Sequence, residues 1–257
     1  MKSENFFPAE KTHTGKYLIR SNQSVYQLLF LLPLLLIYEI AAVLVNFNAP
    51  FEMRNGADIL LKYTFYSLGI ESVFSFVMVT LLFVVLMLIV AMKKYQKRIR
   101  FSYFAGMFSE SLVYAFIIGI VSSKIAVAVT SANPFLATSV SDGGMPNTIM
   151  HQLMIGIGAG VYEEIVFRAL LITLLLAVIN RVKYLKEHKM VIAVFISAIL
   201  FSAFHYVGEF GEIFNVITFS YRLVAGLLLS ALFILRGIGV CAWSHAIYDV
   251  YVVFGVL

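Results

Sequence analysis

The sequence predicts an all-α fold, a polytopic membrane helical bundle of about seven transmembrane helices with one interfacial helix. Of the 257 residues, 61% are hydrophobic, and the mean hydropathy is +0.92. Only 13% are charged, whereas soluble domains are about a quarter charged. Apolar runs of roughly 20 residues recur, the length that crosses a hydrocarbon core of about 30 Å. We therefore expect residues 1–257 to form a single integral membrane domain.

The first predicted span is residues 25–47, "VYQLLFLLPLLLIYEIAAVLVNF". This run is too long for the core of a signal peptide and has no evident cleavage site, so we expect it to be retained. Residues 1–24 are then a polar amino-terminal segment. Residues 57–70, "ADILLKYTFYSLGI", are too short to cross and predict a helix that lies at the interface.

The longest hydrophobic segment, 148–180, is unusual. As one helix it would extend about 50 Å, against a hydrocarbon core of about 30 Å. It must tilt, protrude or break near its glycines. Gly156 and Gly160 form a small-xxx-small pair that allows a neighbouring backbone to approach closely. The other predicted spans are 71–92, 107–130, 190–207, 213–235 and 238–256.

Basic residues predict the orientation. Lys and Arg are concentrated in the amino-terminal segment and in loops 93–100 and 181–189, whereas loops 131–147 and 207–212 contain none. With seven spans these loops alternate, so we expect a cytoplasmic amino terminus and an external carboxyl terminus, in the plasma membrane. The net charge of +5 suits anionic lipid headgroups and not nucleic acid. The single cysteine, Cys241, excludes an intrachain disulfide and a multi-cysteine metal site.

Three charged residues lie inside the long apolar segment, in "VYEEIVFRALL", residues 161–171. Such groups cost at least a few kcal/mol each in a membrane and usually face a bundle interior or a wet cavity. Glu164 and Arg168 are four residues apart, the favourable spacing for an ion pair on one helical face. Glu163 points about 100° away from Glu164. We expect Arg168 to hold Glu164 as structural support and Glu163 to be available for chemistry.

Histidines and further charges occur in the later spans. His205 lies in "FSAFHY", and His245 and Asp249 lie four apart in "WSHAIYD". At that spacing Asp249 can accept a hydrogen bond from the imidazole of His245 and orient it. Arg222 is expected to give structural support by neutralising a carboxylate or by reaching the interface, with Glu39 as its candidate pair.

Taken together, these residues resemble the three motifs of the CAAX protease and bacteriocin-processing family, which includes the type II CAAX prenyl endopeptidases. The resemblance covers residues 148–256, which we regard as the motif-bearing catalytic core. "FRALL", after the glutamates, is similar to the family's extension of its first motif. The motifs are Glu163-Glu164-xxx-Arg168, Phe201-xxx-His205 and His245-xxx-Asp249.

The resemblance implies an intramembrane endopeptidase, with Glu163, Glu164, His205, His245 and Asp249 as candidate catalytic residues. Glu163 and His205 would activate a water, and His245 and Asp249 would face the scissile carbonyl. CAAX-processing relatives commonly carry asparagine where this chain has Asp249. Because an ionised aspartate only accepts hydrogen bonds, Asp249 is better suited to orienting His245 or binding a cation than to donating to an oxyanion.

Two mechanisms stay open at this stage. Glu163, His205 and His245 with a water would form a zinc-type hydrolytic set, whereas a metal-free glutamate mechanism uses the same groups. No HExxH pair is present. The expected partners are a peptide or protein substrate at the membrane, prenylated or not, and the lipid bilayer. The alternative functions are a proton- or cation-coupled transporter and a non-proteolytic immunity or scaffold protein.

The predicted spans place the two histidines at different depths. His245 lies about 10 Å from the cytoplasmic end of its span and His205 about 22 Å from the end of its own. A single site therefore requires either other boundaries, around 207–215 or 236–240, or strongly tilted helices.

Overall fold

A computed structural model describes residues 12–47, 53–67, 69, 73–95, 98–132, 148–208 and 211–256. These residues are predominantly helical and contain no strand, which confirms the predicted all-α class. The α-helices are α1 (His13–Ser21), α2 (Ser24–Asn46), α3 (Gly56–Tyr66), α4 (Val73–Lys94), α5 (Ser102–Ala132), α6 (Ile149–Gly158), α7 (Thr173–Ile179), α8 (Lys189–Phe204), α9 (Val216–Arg236) and α10 (Ile238–Val253). A π-helical segment, Ala159–Ile172, joins α6 to α7, and a 3-10 turn, Lys183–Leu185, precedes α8.

The length and composition of the helices are those of a membrane protein. Large apolar side chains such as Val43 and Leu44 of α2 are 60% and 71% exposed, as expected where helices face lipid and not water. The count of seven spans stays a prediction. Among the described residues, the helices long and apolar enough to cross a membrane are Ser24–Asn46, Ser102–Val129 and Val216–Arg236. Shorter apolar helices cover Val84–Lys93, Lys189–Phe204 and Ile238–Val253.

The long predicted segment 148–180 changes its helical geometry at its glycines. The α-helical pattern ends at Gly158, and the following 14 residues are π-helical. A β-carbon on Gly156 would lie 2.8 Å from Cβ of Asp249, and one on Gly160 would lie 2.7 Å from the carbonyl oxygen of Ala242. The predicted close approach of a neighbouring backbone is therefore confirmed, and the neighbour is α10. Stretches of π-helix are rare and are frequent at functional sites.

The core is built around α10, which packs against α2, α5, α6, α9 and the π-helical segment. Val240 belongs to one buried hydrophobic cluster, with residues of α2, α5 and α9. Ala246 belongs to a second, with residues of α2, α6 and the π-helical segment. His245 lies between these two positions on α10 and is 4% exposed. The π-helical segment with the first motif thus packs directly against the helix that carries the third motif, while α8, with the second motif, packs against the π-helical segment and α9.

Two short helices lie in the amino-terminal half. The predicted interfacial stretch 57–70 contains α3, whose amino terminus is capped by Asn55 and which contacts the π-helical segment. The predicted amino-terminal segment 1–24 contains α1, capped by Thr12, while residues 1–11 lie outside the described residues. Most of the predicted loop 131–147 also lies outside them.

Candidate active site

One cavity of about 220 Å³ gathers most of the sequence-predicted site residues. Glu163, His205, Arg222, His245 and Asp249 all contribute to its wall, while Glu164 and Arg168 lie behind it. Side chains from α8, α9, α10 and the π-helical segment therefore meet at one place. The complete lining is Ala159, Glu163, Phe201, His205, Tyr221, Arg222, Ala225, His245, Tyr248, Asp249 and Val252.

Glu164 and Arg168 form the ion pair that their spacing predicts. Nη1 of Arg168 lies 2.8 Å from Oε1 of Glu164, and both side chains are fully buried. Nη2 of Arg168 donates to the carbonyl oxygen of Gly226 at 3.3 Å, and the guanidinium lies 4.3 Å from the ring centroid of Phe201. A buried charge needs such a partner and such hydrogen bonds to be tolerated. Arg168 thereby fixes the position of Glu164 behind the cavity.

His245 is oriented by Glu164 and not by Asp249. Its Nδ1 lies 2.7 Å from Oε1 of Glu164, and because an ionised carboxylate only accepts, Nδ1 carries the proton. Its Nε2 lies 3.7 Å from Oδ2 of Asp249, which is too long for a hydrogen bond. The expectation that Asp249 accepts a hydrogen bond from His245 is therefore wrong. The π-helical segment brings a carboxylate closer to the ring than the neighbouring turn of α10 does.

Glu163 has one anchored oxygen and one without a partner. Its Oε1 accepts a hydrogen bond from Nδ2 of Asn55 at 2.9 Å. Its Oε2 is buried and has no hydrogen-bond partner among the described residues. Buried carboxylate oxygens are normally satisfied. Oδ1 of Asp58 also has no hydrogen-bond partner among the described residues, but Asp58 does not line a described cavity, whereas Glu163 does. Oε2 is therefore the oxygen of Glu163 that no group among the described residues holds.

His205 follows the last residue of α8. Its Nδ1 lies 3.0 Å from the carbonyl oxygen of Phe201, so Nδ1 donates and Nε2 is left for other contacts. The Phe201 ring packs edge-on against both imidazoles, with centroids 5.3 Å from His205 and 5.9 Å from His245. Phe201 therefore contacts both histidines at the cavity wall.

Arg222 joins the cavity to the segment between α8 and α9. Its Nη2 and Nη1 contact the two carboxylate oxygens of Glu212 at 2.5 Å and 2.9 Å. The backbone N–H of Glu212 donates to the carbonyl oxygen of His205 at 2.9 Å. The expected pair of Arg222 with Glu39 is wrong, because Glu39 lies beside Arg54 at 3.0 Å. Arg222 instead holds the residues that follow His205.

A second group of buried charged and tyrosyl side chains lies in the amino-terminal half, and we call it the support cluster. Nη1 of Arg54 lies 3.0 Å from both Oε2 of Glu39 and Oδ2 of Asp58. Tyr162 donates to Glu39 at 2.5 Å, and Tyr38 donates to Asp58 at 2.7 Å. Each carboxylate thus has the arginine and a tyrosine hydroxyl as partners. Tyr162 immediately precedes Glu163, so the cluster adjoins the candidate site.

Sequence reasoning did not identify Asn55 or Cys241 as site residues. Asn55 stands before a glycine at the start of a predicted helix, which is a signal for a helix cap, but nothing local reveals its contact with Glu163. The thiol of Cys241 lies 3.0 Å from Oε2 of Glu164, a partner 77 positions earlier. Such long-range pairs carry no local sequence signal.

The residues do not fit the predicted metal site. Among the part of the chain that the structure describes, no three His, Cys, Asp or Glu side chains are grouped to hold a metal ion. The proposed set of Glu163, His205 and His245 is therefore not arranged as a ligand set.

The helix boundaries do not explain the predicted difference in depth between the two histidines. α8 begins at Lys189 and α10 at Ile238, within a residue of the predicted starts. His205 and His245 nevertheless line one cavity. The convergence therefore arises from tilt or axial offset between the helices.

A comparison with known protein families supports the family resemblance of the carboxyl-terminal part of the chain, which carries the three motifs. The family model described as type II CAAX prenyl endopeptidase Rce1-like matches residues 145–251. The match spans every candidate residue from Glu163 to Asp249. No curated protein and no solved structure matches the chain. The matched family is a family of membrane peptidases, as the three motifs predict. Residues 145–251 are therefore similar to the Rce1-like type II CAAX prenyl endopeptidases, in agreement with the resemblance that the three motifs carry.

Proposed function

We propose that the protein is an intramembrane endopeptidase in which Glu163 activates a water for hydrolysis of a peptide bond near the membrane. The observation that carries the proposal is the state of the Glu163 carboxylate. One oxygen is anchored by Asn55, and the other has no partner among the described residues. Glu163 shares its cavity with His205 and His245. A base, a proton carrier and an oxyanion partner are the groups that peptide hydrolysis requires.

The first step uses Glu163 and His205. Oε2 of Glu163 accepts a proton from the water as the water oxygen attacks the carbonyl carbon of the peptide. The proton then passes to the leaving nitrogen, directly or through Nε2 of His205, as the C–N bond breaks. Acid–base help of this kind contributes about 10²–10⁴ in rate. The products are a carboxylic acid and an amine, so the atoms and protons balance.

The developing oxyanion is assigned to His245. In its protonated form Nε2 donates to the oxyanion, while Nδ1–H stays bound to Glu164 at 2.7 Å. Glu164 is itself held by Arg168 at 2.8 Å, so the imidazole is positioned before the substrate arrives. Oriented donors of this kind are worth about 10²–10³ in kcat each. Asp249, 3.7 Å from Nε2 of His245, supplies a negative neighbour for the imidazolium.

The substrate and the location belong to the same proposal. The family description supports CAAX-type processing of a peptide or protein at the bilayer. The alternation of basic loops with loops that lack Lys and Arg supports a cytoplasmic amino terminus, and the membrane that we propose is the plasma membrane. We assign residues 148–256 as the catalytic core of one integral membrane domain that spans residues 1–257.

A mass-spectrometric comparison of membrane peptides tests the proposal. Cells producing the wild type are compared with cells producing Glu163→Ala and Glu163→Gln, the second of which keeps the shape of the side chain. The matched control is Glu187→Gln, at an exposed glutamate in the loop before α8. We expect a set of peptides that both Glu163 variants lack at normal protein abundance and that the control retains.

Other outcomes would overturn the proposal. An unchanged peptide pattern together with an unchanged biological effect in the Glu163 variants would favour the scaffold role. Loss of proton-coupled flux without any change in peptides would favour the transporter.

A further inference from the structure

We infer that Asn55 is a positioning residue for the proposed base, supplied by the segment before α3 and outside the region that the family model matches. The inference rests on the proposed function and deepens it. Nδ2 of Asn55 donates to Oε1 of Glu163 at 2.9 Å. Asn55 and Glu163 are each 4% exposed, so water does not compete freely for this bond.

The orientation of the Asn55 amide is fixed by a second contact. Its Oδ1 accepts the backbone N–H of Ala57 at 2.9 Å and so caps α3. Because only the oxygen of the amide can accept, the nitrogen must be the group that faces Glu163. The cap therefore determines that Asn55 presents a donor, and not an acceptor, to the carboxylate.

The backbone at Asn55 is also held. Its N–H donates to the hydroxyl of Tyr38 at 3.3 Å, and Tyr38 donates to Asp58 at 2.7 Å. The preceding residue, Arg54, lies between Glu39 and Asp58 at 3.0 Å from each. The support cluster thus fixes both sides of Asn55. A hydrogen-bonding group held in this way keeps its geometry without reorganisation when the substrate binds.

Close packing brings Asn55 against the helix that carries Glu163. A β-carbon on Gly158 would lie 3.0 Å from Cβ of Asn55 and 2.4 Å from the ring of Tyr38. Only a glycine at this position allows both side chains to approach. Gly158, the last residue of α6, therefore allows the segment that carries Asn55 to pack against the helix about one turn before Glu163.

The chemical consequence concerns the second oxygen of Glu163. With Oε1 held by Asn55, rotation of the carboxylate is restricted, and Oε2 keeps its orientation in a residue that lines the cavity. Without the donor, the carboxylate can turn away from the water that it is proposed to activate. A misplacement of about 1 Å at a reacting group costs up to about 10²-fold in rate.

Two substitutions separate this role from helix capping. Aspartate and serine are both good N-cap residues, so Asn55→Asp and Asn55→Ser retain an oxygen for the N–H of Ala57 while removing the amide donor. The matched control is Asn215→Asp, because Oδ1 of Asn215 caps α9 by accepting the N–H of Ile217 at 2.8 Å. The same substitution, asparagine to aspartate, is thus made at the N-caps of α3 and α9. Of these two asparagines, Asn55 contacts Glu163.

The experiment measures kcat and KM for full-length purified protein on a synthetic peptide that spans a cut abolished by Glu163→Ala. Thermal unfolding midpoints are recorded in parallel. We expect both Asn55 variants to lower kcat by about 10- to 100-fold, with KM within about twofold of the wild-type value. Asn215→Asp is expected to change kcat by less than about twofold.

A kcat of Asn55→Asp equal to that of the wild type would overturn the inference. A fall in kcat that is fully explained by a smaller fraction of folded protein would also overturn it. An equal fall in Asn215→Asp would do the same. Failure of the proposed function gives a different result. In that case the comparison of membrane peptides finds no cut that depends on Glu163, and no peptide substrate is obtained for the kinetic experiment.

Discussion

Buried charged side chains form two clusters in this protein, and the clusters differ in how their carboxylates are paired. In the support cluster, Arg54 lies between Glu39 and Asp58, and each carboxylate also accepts a tyrosine hydroxyl. Both carboxylates thus have a cation and a neutral donor. No cavity among those described is lined by these carboxylates.

The second cluster, which we call the site cluster, consists of Glu163, Glu164, Arg168 and His245. Glu164 takes both cationic partners, since Arg168 and His245 contact the same oxygen. Glu163 forms no ion pair among the described residues, and its only hydrogen bond in that part of the chain comes from Asn55. Both oxygens of Glu164 thus have partners, whereas one oxygen of Glu163 has none among the described residues. Under the proposed function, Glu164 positions His245 and Glu163 is the base.

The largest stability effect is expected in the site cluster, from Arg168→Met. The change leaves Glu164 buried with only His245 and a weak thiol donor. Removing one partner of a buried ion pair costs about 3–5 kcal/mol. We expect a strongly lowered thermal midpoint in detergent and low abundance in membranes. Arg181→Met, at an exposed arginine, is the control. Equal midpoints for the two variants would contradict the buried role of Arg168.

A smaller effect is expected in the support cluster, from Arg54→Met. Asp58 retains Tyr38 and Lys62, whose Nζ lies 3.7 Å away, and Glu39 retains the hydroxyl of Tyr162. The loss is therefore expected near the low end of the range for buried pairs, about 3 kcal/mol. Its measurement is the thermal midpoint beside that of Arg168→Met. A larger fall in the thermal midpoint for Arg54→Met than for Arg168→Met would contradict this difference. It would show that the carboxylates of the support cluster depend more on their arginine than Glu164 does on Arg168.

The smallest effect is expected from Cys241→Ala. The thiol is a weak donor to Oε2 of Glu164, and losing one hydrogen bond to a buried acceptor costs about 1 kcal/mol. Cys241→Ser is the matched variant, since it keeps a donor at this position. We expect a thermal midpoint nearer the wild type for serine than for alanine. The reverse order would show that packing, and not the contact with Glu164, decides the role of Cys241.

Much of the fold could be predicted because long apolar runs leave few alternatives to membrane helices. The predicted span 238–256 corresponds to Ile238–Val253, and 213–235 corresponds to Val216–Arg236. The π-helical geometry after Gly158 could not be predicted, because residue spacing does not distinguish it from a continuous α-helix. The tilt or axial offset that brings His205 and His245 to one cavity likewise depends on packing and not on local pattern.

The site was predictable where its contacts are local and not where they are distant. The pair of Glu164 with Arg168 follows from their spacing. The contact of His245 with Glu164, 81 residues apart, and that of Asn55 with Glu163, 108 residues apart, leave no mark in the spacing. Motif spacing instead suggested Asp249 as the partner of His245, which lies too far away at 3.7 Å. Only the packed helices show which carboxylate orients the ring.

The most direct test of the central claim is the cleavage rate per folded molecule of purified Glu163→Gln. The change keeps the size of the side chain and its contact with Asn55, and it removes the basic oxygen. We expect the initial rate to fall by at least about 10²-fold, with a thermal midpoint close to that of the wild type. Cleavage of the same peptide at the wild-type rate would contradict the role of Glu163 as the base.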